Sequence, residues 1–267
     1  MADDFDPTTV PIRKAATVML VRDAADGEPG VEVFMLRRTG NASFGAGMYV
    51  FPGGRVDDVD RGEEIDTFCR GLDDAEASKQ LGIDEGGLAY WIAAIRECFE
   101  EAGILLAETR GGEPLDLGDD DRHAVHDGEL SMVELCRRDD LVMELSTTQY
   151  VDHWITPVGE ARRFDTRFFV TEAPDDQDGF HDEQETVDSL WIRPEAALER
   201  AEAGELMMMP PTLKNLRWLA EHDSAGAAVD AGAAITHPPV TLPKLRHDED
   251  GKMIGVAMPG DDDYDDL

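Results

Sequence analysis

Apolar residues recur at helical spacing between residues 88 and 105, and this stretch constrains the fold more than any other part of the chain. The residues that share one face, at about 100° per residue, are Trp91, Ala94, Ile95, Cys98, Ala102 and Leu105. Gly103 can end such a helix, because glycine readily adopts the left-handed conformation of a C-terminal cap. The sequence therefore predicts an amphipathic helix that packs one side against a core.

Three glutamates lie beside that apolar face. Glu97, Glu100 and Glu101 occupy positions i, i+3 and i+4, so they fall within roughly 100° of arc. Like charges so placed repel one another and destabilise a helix. Mg²⁺ or Mn²⁺ prefers oxygen ligands and would turn that repulsion into attraction. In an acidic chain the same pattern also describes a solvated helix face, so the surrounding residues must decide.

A glycine-rich loop upstream and the glutamate helix together resemble the Nudix box, G-x5-E-x7-R-E-U-x-E-E-x-G-U, in which U is a bulky apolar residue. In the first half Gly54 matches, and Asp60 stands where the family has glutamate. The box is interrupted, because 35 residues separate Asp60 from Arg96. The second half of the pattern matches at Arg96, Glu97, Cys98, Glu100, Glu101, Gly103 and Ile104.

An interrupted box is found in Nudix hydrolases similar to the peroxisomal coenzyme A diphosphatase and its bacterial relatives. The longer loop costs little, since closure entropy grows only logarithmically with loop length. Arg38 and residues 47–54 are similar to the upstream signature of that branch, whereas Ser43 replaces its second arginine. Residues 163–169 and 210–213 also resemble the branch. The resemblance spans roughly residues 14–220.

The resemblance implies roles for individual residues. Glu97, Glu100 and Glu101 would be the catalytic metal ligands for Mg²⁺ or Mn²⁺, and Arg96 would orient a glutamate through an ion pair. The general base would be a box glutamate or a carboxylate on a distant loop, Glu183 or Glu185. A backbone carbonyl of Gly53 or Gly54 would lie near the metal. For Arg163 and Arg167, a structural ion pair is the alternative to a contact with substrate. The substrate-binding residues would be Arg38, Gly53, Gly54, Arg163 and Arg167.

The implied fold is the α/β class Nudix α/β/α sandwich, in which helices cover both faces of a mixed sheet. It would carry an insertion inside the Nudix box and extra C-terminal helices. We expect a flexible arm over residues 1–12, the Nudix hydrolase domain over 13–222 with the insertion at 61–95, and an acidic C-terminal extension over 223–267.

Local patterns predict the elements of that fold. Runs of β-branched and aromatic residues predict strands at residues 15–21, 31–36, 48–51, 151–155, 166–170 and 186–192. Besides the glutamate helix, we expect helices at residues 73–81, 129–138, 141–145, 194–203 and 211–221. Residues 107–128 are rich in glycine and aspartate and predict a loop.

The charge balance restricts the partners. With 59 acidic and 24 basic residues the net charge is −35, which repels polymeric nucleic acid and anionic membranes. No apolar run approaches the roughly 20 residues of a membrane span. The acidic start lacks the pattern of a secretory signal, and three cysteines without a C-x-x-C pair predict reduced thiols. We therefore expect a cytoplasmic protein with a small-molecule nucleotide substrate; the sequence leaves a homodimer open.

The resemblance implies hydrolysis of a diphosphate bond in a nucleoside-diphosphate derivative, and coenzyme A or acyl-coenzyme A is the substrate that the branch indicates. Two alternatives stay open. The enzyme could instead act on ADP-ribose, dinucleotides, nucleotide sugars or nucleoside triphosphates. Alternatively, the chain could be a catalytically silent Nudix domain that senses a nucleotide. The presence of all three box glutamates argues against this second alternative.

Overall fold

The computed structural model describes residues 6–40, 45–113, 115, 117–182 and 185–267. The strands, numbered along the chain, are β1 (Ile12–Asp23), β2 (Val31–Arg38), β3 (Tyr49–Val50), β4 (Gly53–Arg55), β5 (Cys69–Arg70), β6 (Glu108–Thr109), β7 (Leu141–Glu144), β8 (Gln149–Ile155), β9 (Arg163–Glu172), β10 (Thr186–Ile192), β11 (Val240–Thr241), β12 (Lys244–His247) and β13 (Met253–Ala257). The helices are α1 (Glu63–Asp66), α2 (Asp74–Leu81), α3 (Leu88–Ala102), α4 (Asp119–His126), α5 (Met132–Arg138), α6 (Pro194–Glu202), α7 (Pro210–Leu219) and α8 (Ala225–Ala233).

Within the described residues, eight strands form one mixed sheet in the order β10-β2-β1-β9-β8-β11, with β3 paired to β2 and β4 paired to β1. β1 runs parallel to β9 and antiparallel to β2. Side chains of β1 alternate between faces, so that Val18 and Leu20 join the core under α3, while Met19 and Val21 join the core under α6, α7 and α8. Helices therefore cover both faces, which confirms the predicted α/β/α sandwich.

Helix α3 confirms the element that the apolar periodicity predicted. It ends at Gly103, whose φ of 69° is the left-handed conformation expected of a cap. Trp91 anchors the apolar face, because its ring packs 4.7 Å from that of Phe169 and its Nε1 donates to the Thr148 carbonyl at 2.9 Å. The apolar face thus fixes α3 against the sheet.

The residues inserted within the box fold into short elements that are joined to the start of α3. The Asp74 carboxylate accepts hydrogen bonds from the backbone N–H groups of Gly86 and Leu88, both at 3.0 Å. The hydroxyl of Ser78 accepts from the Gly87 N–H at 2.9 Å. These acceptors satisfy N–H groups that the first turn of a helix leaves unpaired. The predicted helix over residues 73–81 is confirmed by α2.

Two local predictions are wrong. Residues 141–145 do not form a helix. Residues 141–144 form β7 instead, which pairs with β5 and β6 and whose first three residues are buried. Periodicity cannot distinguish a short apolar run of this kind from a buried helix segment. Residues 107–128 are not all loop, since they include α4, whose first turn carries three aspartates that suit a helix N-terminus.

The residues after 223 form regular elements that sequence patterns had not indicated. Helix α8 packs on the sheet, and β11 extends the sheet by pairing parallel to β8. β12 and β13 form an antiparallel hairpin. None of the helices among the described residues is long and apolar enough to cross a bilayer.

Candidate active site

The site begins with an ion pair that joins the two halves of the interrupted motif. Arg96 on α3 donates through Nε to Asp60 Oδ1 at 2.7 Å and through Nη2 to Oδ2 at 3.0 Å. Both side chains are buried. The Nη2 atom also donates to the carbonyl of Arg55 at 2.9 Å. The short loop after β4 is thereby held against the glutamate face of α3.

The three box glutamates lie together beside this pair. The Nη1 atom of Arg96 lies 2.9 Å from Glu97 Oε1 and 3.1 Å from Glu100 Oε1. Glu101 accepts a hydrogen bond from the Gly53 N–H at 2.9 Å. Arg96 is thus shared among three carboxylates, counting that of Asp60, and one guanidinium cannot balance all of them when they are ionised.

Burial makes these carboxylates hard to ionise together. It raises the pKa of Glu97 to about 8, against the opposing effect of Arg96 and with further repulsion from Glu100. Burial and then the charge of Glu97 raise the pKa of Glu101 well above its ordinary value, although the Gly53 N–H opposes this. The pKa of Glu100 is also raised by burial. A cation would relieve both the desolvation and the repulsion.

The donor set suits a hard divalent cation, because it consists of carboxylate oxygens on one rigid helix. In the described part of the chain, however, no three acidic, histidine or cysteine side chains converge as around a bound ion. Glu97 and Glu100 point to Arg96, and Glu101 points to Gly53. A bound cation would therefore require these side chains to rotate away from their present partners.

Gly54 makes room for the glutamate face. A Cβ atom at this position would lie 2.5 Å from the carboxylate atoms of Glu97, well inside van der Waals contact. Any other residue at this position would force the Glu97 carboxylate to move from its place beside β4. The two predicted glycines therefore lie beside the box glutamates, Gly54 against Glu97 and Gly53 against Glu101.

Two residues of α4 that lie beside the end of α3 were not predicted from the sequence. Arg122 on α4 is buried and donates from Nε to the Glu100 carbonyl at 2.8 Å and from Nη2 to the Glu101 carbonyl at 2.7 Å. The Nδ1 atom of His126 lies 3.9 Å from Glu100 Oε2 and has no hydrogen-bond partner among the described residues. Residue type and spacing gave no signal for either, because α4 was predicted to be loop.

The box residues open into a cavity of about 1140 Å³. Its wall combines the acidic cluster with arginines and with apolar residues from several elements. The charged residues that line it are Arg13, Arg38, Arg55, Asp57, Arg96, Glu97, Glu100, Glu101, Glu160, Arg162 and Glu185. A cavity with carboxylates at one place and cations around them can bind a metal and a phosphate together.

Comparison with known proteins identifies the family of the chain. The family model described as NUDT19 Nudix domain matches residues 12–219, which is most of the chain. The chain belongs to the Nudix hydrolase family. It is a Nudix diphosphatase, as the interrupted box predicted, and enzymes of this family generally need a divalent metal.

Curated relatives of this Nudix hydrolase include acyl-coenzyme A diphosphatase NUDT19 from Gallus gallus, 29% identical over 76% of this chain and 67% of the relative. The Homo sapiens protein of the same name is 27% identical over 88% of this chain and 72% of its own length. Among solved structures, a Nudix hydrolase from Alicyclobacillus acidocaldarius has a TM-score of 0.71 and 26% identity, covering 86% of this chain and 100% of that one.

The structure does not bring two of the predicted substrate residues to the cavity of this Nudix hydrolase. Side chains alternate along β9, and Phe164 and Thr166 line the cavity. Arg163 donates to the Thr156 carbonyl at 3.0 Å, while Arg167 pairs with Asp165. Both arginines are buried in these contacts, but only that of Arg167 is an ion pair, so the structural ion-pair alternative fits Arg167 and not Arg163.

Two further predicted residues, Arg38 and Glu185, line the cavity of the Nudix site near Glu101. Arg38 lines the cavity, and its Nη2 lies 3.8 Å from Glu185 Oε2. The Arg38 Nε atom is buried without a hydrogen-bond partner in the described ranges. Glu185 also lines the cavity and lies close enough to Glu101 to raise its pKa further. Ser43 and Glu183 lie outside the described residues.

Proposed function

We propose that this Nudix hydrolase cleaves the diphosphate linkage of coenzyme A or an acyl-coenzyme A, and that Glu97, Glu100 and Glu101 hold the Mg²⁺ or Mn²⁺ it requires. The observation that carries the proposal is the composition of the cavity, which joins these glutamates, several arginines and an apolar wall. The names of the curated relatives agree with this substrate class.

The arginines support a substrate that carries several phosphates. The chain has only 24 basic residues against 59 acidic ones, yet five arginines line this one cavity. Guanidinium groups bind phosphate oxygens through paired hydrogen bonds. Arg38 has a buried Nε without a hydrogen-bond partner within the described residues, so a phosphate there would satisfy it. The side chain of Arg55 is exposed and donates from Nη2 to Asp57 Oδ1 at 2.7 Å, so it can turn to a second phosphate.

The size of the cavity supports a long substrate. Its volume of about 1140 Å³ exceeds the range of roughly 300–1000 Å³ that is usual for small-ligand sites. A nucleotide alone would leave much of the apolar wall uncovered. Coenzyme A adds a pantetheine arm and, when acylated, a hydrocarbon chain, which suits a cavity with both charged and apolar lining.

The roles of the chain's residues follow from their positions. When bound, a divalent cation neutralises charge on the diphosphate oxygens and makes water more acidic. Arg96 keeps the box glutamates on one side of the cavity through its bonds to Glu97, Glu100 and Asp60. Glu185, which lines the same cavity, and the box glutamates are the candidate bases that would take a proton from water.

The reaction is a hydrolysis. The oxygen of water forms a bond to one phosphorus, the bond from that phosphorus to the bridging oxygen breaks, and a carboxylate accepts the proton of the water. The bridging oxygen leaves on the second phosphate. Coenzyme A would yield a phosphopantetheine and an adenosine bisphosphate.

A substrate panel tests the proposal. We expect the purified chain with Mg²⁺ or Mn²⁺ to cleave coenzyme A and its thioesters with a higher kcat/KM than ADP-ribose, dinucleotides, nucleotide sugars or nucleoside triphosphates, with products separated by chromatography. A higher kcat/KM for one of those competitors would contradict the proposed substrate. Thermal stabilisation by a nucleotide without turnover of any compound would indicate the silent sensor instead.

Three further expectations, on nucleic-acid binding, localisation and oligomeric state, accompany this proposal. The charge of −35 should prevent binding of polymeric nucleic acid, which a gel-shift titration at low salt checks. We expect the enzyme in the cytoplasm, which imaging of a tagged chain in cells checks. Light scattering distinguishes a monomer from a homodimer.

A further inference from the structure

The hairpin of β12 and β13 forms part of the wall of the cavity that contains the box glutamates. Pro243, Met253 and Val256 are among the lining residues. All three lie beyond residue 219, where the match to the Nudix family model ends. This chain therefore adds an apolar surface to its active-site cavity from outside the matched region.

Contacts with the sheet hold this hairpin beside the cavity. The preceding strand β11 pairs parallel to β8, whose C-terminal end borders the cavity. Leu245 packs onto Gly159 in the turn between β8 and β9, and a Cβ at Gly159 would lie 2.5 Å from Leu245 Cδ1. Arg246 links the two strands by donating to the Val256 carbonyl at 2.7 Å. The hairpin consequently has a defined position.

An irregularity in the hairpin explains why Met253 and Val256 line the same wall. The pairing shifts between Arg246 and His247, which leaves Ile254 as an extra residue in β13. An extra residue interrupts the alternation of a strand, so positions three apart can share a face. Ile254 itself is 62% exposed and does not belong to the lining of the cavity.

Apolar residues from other elements complete this part of the wall, so the hairpin is not an isolated patch. Those that line the same cavity include Val125, Leu130, Met132, Ile155 and Phe164. A diphosphate and its nucleotide need cations and hydrogen-bond partners rather than such a surface. A hydrocarbon chain does gain from it, by roughly fourfold in affinity for each methylene that leaves water.

We infer that the C-terminal hairpin binds the acyl chain of a coenzyme A thioester, and that Met253 and Val256 determine the preference among chain lengths. The inference rests on the proposed cleavage of coenzyme A derivatives and adds a specificity element to it. Methionine suits this role, because its flexible thioether side chain adapts to ligands of different shape. Met253 is half exposed at the cavity and can therefore move.

The test compares two neighbouring substitutions that add the same charge to the same strand. We would measure kcat/KM for coenzyme A, butanoyl-coenzyme A and octanoyl-coenzyme A with the wild-type enzyme, Met253→Glu and Ile254→Glu. The wild type should prefer the octanoyl thioester over free coenzyme A. Met253→Glu should lower that ratio by about tenfold, the equivalent of fewer than two buried methylenes. Ile254→Glu should leave the ratio as in the wild type, and Met253→Leu should preserve it.

The following results would overturn the inference. A wild-type rate that does not depend on chain length, or equal ratios in the two glutamate variants, would do so while leaving the cleavage of coenzyme A intact. Failure to cleave coenzyme A and all thioesters would remove the proposed function as well. A wild-type dimer that Met253→Glu dissociates, with an unchanged ratio, would show that a second copy of the chain covers the hairpin instead.

Discussion

Asp60 and Arg96 form a buried, two-bonded ion pair between residues 36 positions apart in the sequence. Asp60 is 1% exposed and Arg96 is 7% exposed, so neither charge is solvated. Of the residues between these two, 61–87 contain the short elements α1, β5 and α2, and the rest begin α3. The pair therefore joins the loop after β4 to the glutamate face of α3, although the interruption separates the two in sequence.

Removing the acid should destabilise the protein. Asp60→Ala leaves the guanidinium of Arg96 buried with less compensation, and the loss of one partner from a buried pair costs about 3–5 kcal/mol. Urea denaturation would measure the change in the free energy of unfolding. Asp58→Ala is the matched control, because Asp58 is an exposed acid in the same short 3-10 turn. Equal losses in the two variants would contradict a special role for Asp60.

Glu101→Gln tests the proposed metal ligand. The amide oxygen of glutamine can still accept the Gly53 hydrogen bond, so the melting temperature should stay near that of the wild type. Loss of an outer partner of a metal ligand already costs about 10- to 100-fold in affinity or activity, so kcat should fall by at least the upper value. Titration with Mn²⁺ followed by electron paramagnetic resonance should show weaker binding. Tight binding with near-normal turnover would place the metal elsewhere.

The same two measurements distinguish the candidate bases. Glu185→Gln should lower kcat but leave the affinity for Mn²⁺ near that of the wild type if Glu185 takes the proton from water. A variant with normal kcat would leave that role to a box glutamate. Because Glu185 lies near Arg38, KM should be compared as well, since a change in KM alone would indicate a role in substrate binding.

The elements that sequence patterns predicted well are those with strong periodicity or continuous apolar runs. Helix α3 and the strands β1, β2, β8, β9 and β10 belong to this group. Residues 141–145 were misjudged, because the pairing partners that make β7 a strand are distant in sequence. The elements after residue 223 were missed for the same reason, since their positions depend on contacts with β8 and with the turn before β9.

The site was predicted as far as residue type and motif spacing can reach. The box glutamates, Arg96 and the glycine pair lie together, as the resemblance implied. Arg163 and Arg167 lie on β9, but neither lines the cavity. Their role was mispredicted because a pattern of alternation does not say which face of a strand meets a ligand. Arg122 could not be found at all, since its partners are backbone carbonyls that no residue type reveals.

Replacing Arg122 should weaken the end of α3. Its two bonds satisfy the carbonyls of Glu100 and Glu101 in a buried place, and each buried acceptor left without a partner costs about 1–3 kcal/mol. Arg122→Met should therefore lower the free energy of unfolding by about 2–6 kcal/mol. Arg122→Lys should fall between this variant and the wild type, because lysine keeps the charge at the helix end but lacks the planar fork. Identical losses in both variants would show that the charge contributes nothing.

The raised pKa of Glu97 predicts how the metal-free protein responds to pH. Burial raises that pKa from 4.5 to about 8, so between these values the folded protein holds a proton that the unfolded chain has released. Stability from this group is then fully present below the unfolded value and is lost as the pH rises through the folded one. In the presence of a chelator, the melting temperature should fall from pH 5 to pH 8.

Mg²⁺ should oppose this loss, because a metal binds the ionised carboxylates and stabilises the folded state that presents them. The gain in melting temperature on adding Mg²⁺ should therefore be larger at pH 8 than at pH 5. In Glu97→Gln both the fall with pH and the gain from Mg²⁺ should be smaller, since the group responsible for them has lost its proton equilibrium and its charge. A Glu97→Gln profile that matches the wild type with and without Mg²⁺ would mean that other carboxylates carry the response, and that Glu97 does not hold the metal.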